Sequence, residues 1–137
     1  MNSTNFTSLW QPRILSVLRI VTALLFFEHG ASKLLGFPPP SPPSHHPFEI
    51  FSFMGFSGIL EFVGGILLAL GLFSRFTAFI LSGEMAVAYF MVHARMDFFP
   101  LVNKGELAVL YCFVFFYFVF AGGGAWSLDR LLFHRET

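Results

Sequence analysis

Residues 56–74 read FSGILEFVGGILLALGLFS, a run with one charge, Glu61. A helix rises about 1.5 Å per residue, so this run would be roughly 28 Å long, close to the hydrocarbon thickness of a bilayer. Three further runs have this character, at about 13–34, 76–93 and 105–121. The run 76–93 contains Glu84, and 105–121 has Glu106 at its start. The run 13–34 is interrupted by Arg19, Glu28 and His29. The expected fold is all-α: an integral membrane four-helix bundle, a single domain over 1–137.

Composition agrees. The chain of 137 residues is 55% hydrophobic, and its 21 phenylalanines exceed what a small soluble core could enclose. Only 12% of residues are charged, about half the share of a soluble domain. Eight basic residues balance eight acidic ones, so no positive surplus exists for a nucleic-acid partner. A single cysteine, Cys112, leaves no intramolecular disulfide or thiolate metal cage; it reads as a small apolar residue. The opening MNSTNFTSLWQP lacks the basic-then-apolar order of a cleaved signal, so the first span is expected to be kept.

The connections differ in kind. Loop 36–48 carries six prolines between 38 and 47, which forbid a helix there. Its His45 and His46 are expected to face solvent. Ser74 and Arg75 read as a tight hairpin. GGG at 122–124 ends the fourth span, and Ser127 is placed to N-cap a short C-terminal interfacial helix, with Asp129 near its positive end. Four crossings put both termini on one side with Arg13, Arg75, Arg130 and Arg135, against Lys33, Arg95 and Lys104 on the other. The positive-inside rule then makes the termini cytoplasmic. The many small residues of the second and third spans suit close helix packing.

Ionisable groups inside spans face the bundle interior and mark function or pair with one another. Arg19 lies roughly 9 Å above Arg13 and Glu84 roughly 13 Å above Arg75, levels close enough to expect a buried Arg19–Glu84 ion pair. Its rival is Glu84 as a protonatable site. A second group gathers at the opposite face. LLFFEHGASKLL, residues 24–35, places Glu28, His29 and Lys33 there, beside Glu61, His93, Arg95 and Glu106. Successive helical residues turn by about 100°, so Glu28 and His29 cannot aim at one point. Arg19 and Lys33 share a face. His29 stands about 80° from Arg19 and Glu28 about 180°, making His29 the inward candidate and sending Glu28 elsewhere. His93 stands opposite Glu84 on an unbroken helix.

Three readings of this group compete. His29, Glu61, His93 and Glu106 could bind a metal, although the Glu-x-x-His spacing of bundle metal sites is absent. The same four could handle protons or hold a quinone-like molecule between aromatic walls. Or Lys33 and Arg95 could form a structural charge network with Glu28, Glu61 and Glu106. No phosphate loop, catalytic serine motif or HExxH is present.

Five stretches in order, LRIVTALLFFEHGASKL, LEFVGGILLALGLFSR, EMAVAYFMVH, NKGELAVLYCFVFFY and GGGAWSLDRLL, resemble the DoxX family of small bacterial membrane proteins. The resemblance implies a four-helix bundle of the bacterial inner membrane. Relatives include a subunit of a thiosulfate:quinone oxidoreductase and proteins tied to oxidative stress, and many have no assigned activity. Its recurrent polar places fall here on Gly30, Lys33, Glu61, Arg75, His93, Glu106, and Ser127 with Asp129. The single cysteine departs from thiol redox chemistry. The expectation is a redox-associated subunit acting near quinone or a partner oxidoreductase, in a homo-oligomer or larger complex. The alternative is a non-catalytic assembly subunit.

Overall fold

The structure, a computed structural model, describes residues 3–40 and 49–133. His45 and His46 lie outside them. Among the described residues six α-helices follow one another: α1 (Ser3–Leu35), α2 (Phe53–Leu70), α3 (Ser74–Ala88), α4 (Pro100–Asn103), α5 (Glu106–Ala121) and α6 (Leu128–Phe133). A π turn, Tyr89–His93, continues α3. The described residues contain no strand. Helix α1 packs along α2 and α3 along α5, with α2 against α3 and α1 against α5 closing the bundle.

Three helices are long and apolar enough to cross a membrane by length and composition: Phe6–Leu35, Phe53–Leu70 and Ser74–His93. The fourth, α5, has 16 residues and is apolar on every side. The core is aromatic. Phe26 of α1 meets the Phe115 ring at 4.8 Å and the Tyr111 ring at 5.1 Å, both edge-on. Such pairs contribute about 1 kcal/mol each beyond burial. In lipid, helices associate through packing and hydrogen bonds, since the tails are as apolar as the side chains.

Glycines set the closeness of that packing. A Cβ on Gly30 of α1 would strike the Phe62 backbone of α2, 2.8 Å from its Cα. One on Gly65 of α2 would lie 2.9 Å from the Phe27 Cβ. The α1–α2 seam is therefore near backbone contact.

Boundaries shift from the expected ones. Helix α1 begins at Ser3 rather than near 13, and Pro12 lies inside it. The bend between α2 and α3 sits at 71–73, not at Ser74 and Arg75, which already belong to α3. Gly71 there adopts the left-handed backbone at φ 68°, which closes α2 through amide bonds from Gly71 and Leu72 to Leu68 and Leu67. Ser127 caps α6 as expected, accepting from the Arg130 amide at 3.3 Å. Asp129 stands in the first turn of α6 as expected and also serves a different helix: its two oxygens accept from the Phe73 and Ser74 amides, each at 2.7 Å, at the start of α3.

Candidate functional site

Arg19 is fully buried at the end of the bundle where α2 stops. Its guanidinium donates to four backbone carbonyls: Leu68, Ala69 at 2.7 Å, Gly123 at 2.8 Å and Trp126 at 2.5 Å. The first two are carbonyls of the last turn of α2, where the helix leaves acceptors over; Leu68 also accepts from the Gly71 amide. The expected Arg19–Glu84 ion pair is not formed; Glu84 bonds elsewhere. The reason is the longer α1. Because the helix starts at Ser3, Arg19 rather than Arg13 is level with the start of α3. Glu84 then lies ten residues further along α3, about 15 Å away in depth.

Glu84 belongs to the other end. Lys33, in the last turn of α1, donates from Nζ to Glu61 Oε1 at 2.8 Å and to Ser57 Oγ at 3.0 Å. The Ser57 hydroxyl in turn donates to Glu84 Oε1 at 2.7 Å. Helices α1, α2 and α3 are thus joined by one chain of polar groups. Gly58 eases the approach: a Cβ there would lie 3.1 Å from the Lys33 Cβ, a tight contact that glycine avoids as the lysine stem descends against α2. Ser57 and Glu61 are one helical turn apart and share a face of α2.

This cluster is unevenly satisfied. The Glu61 side chain is 4% exposed and the Lys33 side chain 26%. Glu61 Oε2 and Glu84 Oε2 are both buried and have no hydrogen-bond donor among the described residues. One ammonium therefore faces two carboxyl groups, with two acceptor oxygens left open. Tyr111 of α5 is close enough to Glu28 and Glu61 to feel both charges, and its ring stacks on Phe115 at 5.6 Å.

The other expected residues do not join. His29 is exposed, and Nδ1 bonds the Leu25 carbonyl of its own helix at 2.9 Å; it is not the inward residue of α1. Its ring meets only the edge of Tyr111, at 6.0 Å. Lys33, about 40° from Arg19 against 80° for His29, takes the inward place. His93 bonds the Asn103 carbonyl at 2.9 Å and so fastens the loop before α5. The π turn puts it there, because i→i+5 spacing, seen in Ala94 N to Tyr89 O at 2.8 Å, turns each residue by less than an α-helix would. Glu28, Arg95 and Glu106 are exposed and make no hydrogen bond or ion pair among the described residues. Those residues hold no group of three or more His, Cys, Asp or Glu able to bind a metal, so His29, Glu61, His93 and Glu106 do not assemble one. The structural network survives only in its Lys33–Glu61 part. Ser57 was not anticipated; its place one turn before Glu61 was the available signal.

The family model described as DoxX matches residues 14–94. The chain belongs to the DoxX family. A relative from Haemophilus influenzae, described only as an uncharacterized protein, is 46% identical over 133 residues, covering 92% of this chain and 96% of the relative. No solved structure matches. The DoxX match encloses every member of the buried cluster, Lys33, Ser57, Glu61 and Glu84, and Arg19 at the opposite end. Helices α5 and α6 lie beyond it.

Proposed function

We propose that this DoxX protein is a redox-associated membrane subunit, acting beside quinone or a partner oxidoreductase, and that Lys33, Ser57, Glu61 and Glu84 form its hydrogen-bonding and proton-handling site. The observation that carries this reading is the pair of open buried acceptors, Glu61 Oε2 and Glu84 Oε2. Unsatisfied polar atoms are costly in a membrane span, and ionisable groups there mark ligand or proton paths. Two carboxylate acceptors beside an ammonium suit a ligand that presents hydroxyl donors, as a quinol does, and Tyr111 with Phe115 offers an aromatic wall. In this reading His29 and His93 serve as proton carriers at the same end of the bundle, with Glu106 at the start of α5.

We further propose that α5 crosses the membrane with the other three helices, that the membrane is the bacterial inner membrane, and that the termini are cytoplasmic. The assembly reading has its own support. Phe113, Phe116 and Phe120 of α5 are more than half or nearly half exposed, a face that lipid or a protein partner could cover.

The test is ligand binding by the protein purified in mild detergent. The lipid extract is assayed for quinone, and a short-chain ubiquinol is titrated by equilibrium dialysis. Binding by the wild type, lost at least ten-fold in Glu61→Gln and Glu84→Gln with helical content intact, is the expected result. No binding by the wild type and no extracted quinone, together with larger subunits co-purifying, would leave the assembly reading in its place.

A further inference from the structure

The bundle end opposite the Lys33 cluster has a cavity of about 410 Å³. It lies between the start of α3 and the short α6, where the apolar helices end. Its polar lining is Ser74, Arg75, Ser127, Asp129 and Arg130; its apolar walls include Phe73, Phe76 and Phe133. The Phe73 and Phe133 rings meet at 5.9 Å.

Three features of this lining point to an anion. Asp129 has both carboxylate oxygens committed to the Phe73 and Ser74 amides. Arg75 uses Nη1 on the Val119 and Phe120 carbonyls, while its Nε and Nη2 have no hydrogen bond among the described residues. The Arg130 side chain has none there either. Two guanidiniums against one occupied carboxylate leave the cavity net positive. The third feature is Ser74, a fully buried residue of the lining, whose Oγ has no hydrogen-bond partner among the described residues.

The apolar part favours a ligand with a tail. Phe76 is 69% exposed at the rim, and Phe79, Ile80, Gly83 and Val87 continue its stripe along α3 at helical spacing, all exposed. A Cβ at Gly83 would meet nothing within 4 Å, so the stripe is open there. We infer that this cavity binds the phosphate of an anionic phospholipid, between Arg75, Arg130 and the Ser74 hydroxyl, with an acyl chain laid along the exposed stripe of α3. Guanidinium is the side chain best shaped for phosphate oxygens.

Native mass spectrometry of the detergent-purified protein tests this, using phosphatidylglycerol and phosphatidylcholine with the same acyl chains. The wild type is expected to retain one phosphatidylglycerol per chain in preference to phosphatidylcholine. Arg130→Gln, which breaks no hydrogen bond described here, should weaken that retention roughly five-fold, the effect of one basic residue at a lipid surface. Ser74→Ala should also weaken it, and both variants should melt as the wild type does. Equal retention of the two lipids, or wild-type retention by both variants, would overturn the inference. Millimolar inorganic phosphate is expected to leave the lipid bound. If it displaces the lipid one for one, the site is for free phosphate and the lipid assignment falls.

Discussion

Lys33 of α1 and Glu61 of α2 meet at 2.8 Å, the only ion pair among the described residues. The glutamate is almost fully enclosed, and the lysine reaches it from the more open side. Charge balance inside the bundle therefore rests on one flexible stem.

Lys33→Met should cost about 3 kcal/mol, the low end for breaking a buried pair because Lys33 is a quarter exposed. The double variant with Glu61→Gln should recover part of the loss, since no uncompensated carboxylate then stays buried. Thermal melting followed by helical circular dichroism in mild detergent measures both. A double variant no more stable than Lys33→Met alone would mean the pair does not govern stability.

Gly30→Ala and Gly64→Ala should differ. The new methyl at Gly30 meets the Phe62 backbone, which cannot yield without moving α1 off α2. At Gly64 it lies 2.7 Å from Leu81 Cδ2, the tip of a side chain that can rotate away. Overpacking costs roughly 1–3 kcal/mol, with Gly30→Ala expected at the upper end and Gly64→Ala at or below the lower. The two melting temperatures in the same detergent check the order.

Arg19→Lys keeps the charge and loses the fold-locking geometry. An ammonium has three donors and no planar fork, whereas Arg19 serves four carbonyls from α2 and from residues 123 and 126. Losing even one bond to a charged group is worth about 2 kcal/mol. Reduced melting temperature with unchanged ubiquinol binding is the expected outcome, since Arg19 lies at the other end from the Lys33 cluster.

Asp129→Asn leaves one acceptor oxygen where α3 now uses two. A lost cap costs about 1 kcal/mol. Faster amide hydrogen exchange at Phe73 and Ser74, with exchange at the start of α2 unchanged, would localise the loss to α3.

The spans and their order were legible because long apolar runs admit few other structures, and the family resemblance rested on those same runs. The site was legible only in part. The helical angles placed Lys33 on the face of Arg19, yet the imidazole of His29 drew the chemical reading. What moved His29 out was a bond to its own helix at Leu25, and what eased Lys33 in was the bare backbone of Gly58. Neither is a matter of residue type. The Arg19–Glu84 expectation failed on depth, because polar residues 3–12 hid the true start of α1. Asp129 was read as serving its neighbour in sequence, and only the packing of α6 on the turn at 71–73 shows which helix it caps.

The fastening of Arg19 also bears on how the protein is made. Two of its acceptors, Leu68 and Ala69, exist once α2 has joined α1; the other two, Gly123 and Trp126, follow only after α5. The Ala125 and Trp126 amides likewise bond back to Pro12 and Ser16. With only α1 and α2 packed the guanidinium is half served, and the segment after α5 completes its bonding. One guanidinium thereby ties together parts of this DoxX protein more than a hundred residues apart in sequence.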